Sequence, residues 1–231
     1  MPCYFSMDLV FRRKDLCPTF VAGFHDALTQ AGLPFRSGFW GCEGSTLPEI
    51  IAWNRGKLED DFRLGFTEHY AHGYRQVLFD CGGFSEVRGF WQNQCPGAEQ
   101  FSFYIIVPED DMLTDGWQLP FLVPRVRHWA AVAERLWNAF PPIRSIQTGL
   151  EASPPAADLD RGQAPQVLPF AILPAADERL LPPGRFSRNA LERVPAHPLH
   201  PDRAGGLAAG GGPGPGRSAP GAALRRPAHG G

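Results

Sequence analysis

Lysine is nearly absent from this chain. Lys14 and Lys57 are the only two among 22 basic residues, the remainder being arginine. The basic residues are not gathered either. Residues 1–150 hold 13 Lys+Arg against 17 Asp+Glu, a net of −4, and residues 151–231 hold 9 against 7, a net of +2. A nucleic-acid binder needs a concentrated basic face, so no nucleic-acid partner is expected. No apolar run reaches 18 residues, which excludes a membrane-spanning helix, and no membrane association is expected. The first 13 residues have no basic region ahead of an apolar stretch, so no secretory leader is expected. The five cysteines, Cys3, Cys17, Cys42, Cys81 and Cys95, are odd in number and lack CxxC spacing. Such a set reads as reduced thiols in a cytoplasmic protein, used mainly as small buried residues.

Tryptophan, tyrosine and cysteine are also absent from one part of the chain. All six Trp, all four Tyr and all five Cys lie before Glu151. The 81 residues from Glu151 onward carry 16 Ala, 14 Pro and 12 Gly. A segment of that composition has little with which to offset the chain entropy lost on ordering. The expectation is one globular domain over residues 1–150, large enough to bury its own core, and a mostly disordered tail over 151–231. Within that tail only residues 167–173 and Leu180-Leu181 look core-like, and prolines interrupt both. A further reading takes residues 151–231 as a non-native continuation of the domain.

Inside the first part the hydrophobic period alternates between two and 3.6. Phe5, Met7, Leu9 and Phe11 form one apolar face of a first strand. Phe20, Val21, Phe24, Ala27, Leu28 and Ala31 fall at helical spacing, and Gly32 followed by Pro34 stops that helix. Residues 35–41 suit a short strand. Thr46 and Glu49 have the spacing of a capping box, in which each side chain satisfies the other's orphan backbone donor; the helix it opens runs to about Asp60. Three strands follow at residues 74–81, 85–92 and 100–107; the first gap has hairpin length and chemistry, and the three read as an antiparallel meander. Val126, Trp129, Ala133, Leu136, Trp137 and Phe140 then mark the strongest helix, ended by Pro141-Pro142. A last strand is expected at residues 143–148. The order β-α-β-α-β-β-β-α-β implies an α+β domain, an antiparallel sheet with helices packed on one face.

No motif is specific to one chemistry. Glu109, Asp110, Asp111 and Asp115 follow an apolar strand as an acidic cluster; they suit a solvated turn or an acidic binding surface. Trp117, in the turn after Asp115, is the tryptophan expected to be exposed, as interface anchors are. Together Glu109, Asp110, Asp111, Asp115 and Trp117 form the candidate binding surface. His69 and His72 lie three residues apart with Cys81 and Cys95 downstream, but they lack the register and convergence of a zinc site, and no metal is expected. Cys42 precedes a capped helix, a position that lowers a thiol pKa, with His25, His69, His72 and His128 as possible bases. The glycine-rich stretch 38–44 lacks the spacing and the lysine of a phosphate-binding loop, and no cofactor is expected.

A small acidic α+β domain rich in tryptophan and without a catalytic signature is similar in style to bacterial toxin-neutralising immunity proteins. No motif carries that resemblance, so it transfers no site residue. The leading expectation is a non-enzymatic cytoplasmic domain that binds another protein through acidic, aromatic-containing loops. The alternative is a small hydrolase or transferase with its site around Cys42 and the pair His69 and His72. Whether those three residues converge separates the two readings.

Overall fold

The computed structural model describes residues 4–63, 72–93, 98–115, 118–150 and 157–183. The expected α+β architecture is what it shows. Strand β1 (Tyr4–Arg12) leads through a short turn into helix α1 (Phe20–Gln30), then β2 (Phe35–Phe39) and helix α2 (Leu47–Glu59). Strands β3 (Gln76–Phe79), β4 (Arg88–Gln92) and β5 (Gln100–Pro108) form the meander. A small hairpin, β6 (Leu113–Asp115) with β7 (Gln118–Phe121), precedes helix α3 (Val123–Ala139). Strands β8 (Ser145–Leu150) and β9 (Ala171–Ile172) complete the main sheet, whose order is β2-β3-β4-β5-β1-β8-β9 with every pair antiparallel.

The strand periodicity explains the core. Phe5, Met7, Leu9 and Phe11 all point to one side and are fully buried, as are Phe103 and Ile105 beside them. Helix α1 lays Phe20 and Phe24 against Phe11, with ring centroids 5.3 Å apart in both pairs. Phe140, just past α3, closes on the same rings. Helix α2 adds Ile50 and Leu58. Its start is fixed as the sequence implies: the Thr46 N–H donates to the Glu49 carboxylate at 2.7 Å. Gly89 is required by this packing, because a Cβ there would lie 2.6 Å from the rings of both Phe79 and Phe103.

Two elements depart from the sequence reading. The β6–β7 hairpin was not foreseen, since three- and four-residue strands are too short to establish a period. The larger departure concerns the boundary expected at residue 150. Residues 157–183 pack on the sheet, and the compact unit continues beyond the composition break. Strand β9 pairs with β8 at Ile146↔Ile172, and Ile172 joins the core. The Gln147 side chain, on the sheet face opposite the helices, is fully buried by this segment. Its Nε2 donates to the Ala157 carbonyl at 2.9 Å, and its Oε1 accepts from the N–H groups of Ala157 and Gln166. Thr148 exchanges hydrogen bonds with the Phe170 backbone. The rest of the expected tail, residues 184–231, lies outside the described residues.

Candidate functional site

The back of the sheet is polar where residues 157–183 cover it. Asp160 bridges two strands: it accepts from Arg12 of β1 at 2.8 and 3.0 Å and from Arg144, just before β8, at 3.0 and 3.2 Å. These guanidinium groups hold the Asp160 carboxyl far below the usual carboxylate range. Arg144 also meets the buried carboxylate of Asp177 at 2.6 Å. A cleft of about 360 Å³ opens beside this network, between Trp137, Pro141, Pro142 and Leu173, with Arg12 and Asp15 among its lining residues. The guanidinium groups bordering it are already committed to carboxylates, so this ion network reads as the clamp that holds the C-terminal segment on the sheet.

Four residues before Arg12 on β1 lies a buried acid, Asp8. Asp8 is 2% exposed, Tyr104 and Gln147 stand opposite it on the neighbouring strands, and its Oδ1 has no hydrogen-bond partner among the described residues. Burial pushes its carboxyl up to about 8, and a hydrogen bond with Ser6 opposes this only in part.

The acidic turn is less open than its sequence suggests. Glu109 is buried, and the Asp111 carboxylate accepts from both the N–H and the hydroxyl of Ser85 at 2.7 Å, tying the β3–β4 loop to the turn after β5. Asp110 is exposed. Asp115 ends β6, but its side chain and the whole of Trp117 lie outside the described residues.

The exposed tryptophan among the described residues is instead Trp40, at 59%. It follows edge strand β2 and has a left-handed backbone, φ 55. Such a conformation costs a non-glycine residue about 1 kcal/mol or more, and it persists only where the surroundings enforce it. Here the surroundings are the loop itself. The Glu43 carboxylate accepts from the Gly41 N–H with both oxygens, at 3.0 and 3.1 Å. That bond, with further backbone N–H groups of Glu43 and Trp40, holds the Glu43 carboxyl below its ordinary range. Gly38 admits the returning chain: a Cβ there would sit 2.0 Å from the Cys42 carbonyl oxygen. Glu49, also exposed and held ionised by its Thr46 bonds, adds a second fixed negative charge to this end of the domain.

The residues considered for nucleophilic chemistry fall only in part within the described residues. Cys42 is buried, and its thiol donates to the carbonyls of Phe39 and Gln76. That is the setting of a packing residue. His25 sits in the core, where burial lowers its pKa to about 4. His72 is exposed, and His69 and Cys95 lie outside the described residues, as does Cys3. Of the bases considered, His128 does meet a thiol, but that of Cys81, 3.5 Å from its Nε2. Residues 47 apart in sequence give no local signal of such a pairing. Among the described residues no three His, Cys, Asp or Glu side chains gather as a metal site, and no helix is long and apolar enough to cross a membrane.

No protein-family model, curated protein or solved structure matches this chain.

Proposed function

We propose that this domain works without a cofactor as a protein-binding module in the cytoplasm, its anchor being Trp40 on the loop that follows β2. The observation that carries the reading is the pairing of exposure with rigidity. A tryptophan turned to solvent on a left-handed backbone, in a loop locked by Glu43, presents a large apolar surface whose conformational entropy is already spent. Preorganised aromatic side chains of this kind are the usual anchors of interfaces. Glu43 and Glu49 put negative charge on the same loop and on the helix start that follows, and the −4 balance of residues 1–150 extends it. The partner's complementary surface is an apolar pocket rimmed by Arg or Lys, and the charge accelerates encounter. Asp110 extends the acidic surface. Among families, toxin-neutralising immunity proteins represent this mode of action.

The test is affinity capture from the source cells with the wild type and Trp40→Ala in parallel, followed by measured binding of any protein the wild type retains. The expected result is a partner lost with Trp40→Ala at an unchanged melting temperature, and a slower on-rate for Glu43→Gln/Glu49→Gln that salt no longer affects strongly. Equal affinity of the Trp40→Ala variant for the captured protein would overturn the reading.

A further inference from the structure

We propose that Cys81 and His128 form a nucleophile–base pair that accepts an acyl group from an activated ester or thioester. This site is separate from the Trp40 loop and rests on its own geometry. Cys81 follows β3, and His128 lies in the second turn of α3. Both side chains are partly exposed, with Sγ 3.5 Å from Nε2. The chain after the cysteine turns sharply: the Phe84 N–H returns to the Cys81 carbonyl, and Gly83 has φ 87. A Cβ on Gly83 would stand 3.1 Å from the Arg125 guanidinium, so that cation lies directly against the Gly82-Gly83 backbone. Phe84 fixes the arrangement from below. Its ring packs on His128 and Trp129 with centroids 5.1 and 5.3 Å away, and the Arg125 guanidinium covers it at 4.4 Å. A thiol and an imidazole therefore meet at a partly exposed turn, with the Arg125 guanidinium close to that turn.

The charges around the pair set its protonation. Burial, then Arg135 and Arg125, hold His128 below its ordinary pKa; burial, then Asp80, hold Cys81 above its own. At neutral pH a thiol thus faces a neutral imidazole, and in the tautomer that carries its proton on Nδ1 the Nε2 atom is the acceptor. This is a general-base arrangement, in which the thiol loses its proton as it reacts, rather than a preformed thiolate. Sγ attacks the acyl carbonyl carbon while Nε2 takes the thiol proton, and the carbonyl π electrons move to oxygen. The Arg125 guanidinium is the nearby donor able to balance that oxyanion. Collapse restores the C=O bond and breaks the bond to the leaving alcohol or thiol, which receives the proton from Nε2. An S-acyl Cys81 remains.

The chain carries its own control in Cys17, an exposed thiol 3.6 Å from the Thr19 hydroxyl. The experiment treats the full-length protein with p-nitrophenyl acetate, follows nitrophenolate release, and locates the acetyl group by peptide mass. The expected result is one equivalent of acetyl on Cys81, at least tenfold faster than on Cys17. Cys81→Ser should abolish the burst, and His128→Gln should slow it by about 100-fold, as loss of a general base does. The wild-type rate should fall only as pH drops below the ordinary imidazole range, following the lowered His128 pKa. Acetylation of Cys81 no faster than of Cys17 overturns the proposal whether or not the variants fold. So does a folded His128→Gln variant that reacts at the wild-type rate, which would leave the Cys81–His128 contact a packing bond.

Discussion

Replacing Asp8 by Asn should make the protein more stable, and more so as pH rises. A carboxyl raised from 3.8 to about 8 by folding binds its proton more tightly in the native state than in the unfolded chain. The native state therefore holds more protons across that interval, and stability falls as pH increases through it. At about 1.4 kcal/mol per tenfold difference in proton affinity, the penalty is about 1.7 kcal/mol at pH 5 and about 5.5 kcal/mol at pH 8.5. Asn keeps the shape and removes the titration, while its own imperfectly bonded amide costs about 1–2 kcal/mol. Near pH 5 the two proteins should thus be almost equal, and at pH 8.5 the variant should be ahead by about 3–5 kcal/mol. Other groups confuse a single pH profile. His25, lowered to about 4 by burial, makes stability rise with pH up to about 6.5, opposite to Asp8. Asp160, held ionised by its arginines, contributes stability that is lost only as pH falls below the ordinary carboxylate range. Both contributions are common to wild type and variant, so the difference between the two proteins isolates Asp8. Urea titrations at pH 5, 7 and 8.5 measure it. A wild-type-to-variant difference that stays constant over that range would refute the link between Asp8 burial and proton uptake.

A chain ending at Leu150 should be destabilised in urea titration, because it loses the ion pairs of Arg144 with Asp160 and Asp177 and the pairing of Ile146 with buried Ile172. It also bares Gln147 and Ile146, and a melting curve matching the full chain would show the clamp to be inert. Phe103→Ala should cost about 3–5 kcal/mol in the same assay, as emptying a large aromatic site does, because its ring is 1% exposed among Phe24, Trp91 and His25. Asp111→Asn should cost about 1–2 kcal/mol by loosening its two bonds to Ser85, whereas Asp110→Asn should leave the melting temperature unchanged.

Much of the fold was legible because its main elements are amphipathic with a clear period. The Phe5-Met7-Leu9-Phe11 face, the α1 stripe from Phe20 to Leu28 and the α3 stripe around Trp129 each declare both their period and their buried side. The capping box at Thr46 and Glu49 located α2 without any help from tertiary structure. The C-terminal segment was misread for a physical reason. Residues 157–183 are repeatedly interrupted by proline, which breaks any hydrophobic period, and hydrogen bonds and ion pairs help to hold them on the sheet: Gln147 to Ala157 and Gln166, Thr148 to Phe170, Arg12 and Arg144 to Asp160, and Arg144 to Asp177. Composition registers hydrophobic burial well. It does not register polar groups that will be satisfied by partners elsewhere in the chain, here from 10 to 148 residues away.

The same blind spot governs the candidate sites. An acidic run such as Glu109-Asp110-Asp111 reads as one solvated patch, yet each carboxylate has its own fate: one is buried, one is exposed, and one is spent on Ser85. Cys42 had the helix-start position that favours a reactive thiol, but Gly38 lets the chain return so closely that the sulphur ends beneath the loop. Trp40 shows the converse. Its neighbours Gly38, Gly41 and Gly44 are those of an ordinary turn, and the cue to its exposure is local: a carboxylate three residues on, able to gather the N–H groups of the turn and fix the tryptophan outward. A glutamate at that spacing from a loop aromatic, with glycine between them, is the sequence sign that distinguishes a presented tryptophan from a buried one here. It implies that Glu43→Ala should weaken partner binding even where Glu43 itself makes no contact across the interface, because the loop would lose the bonds that hold Trp40 in its costly left-handed conformation.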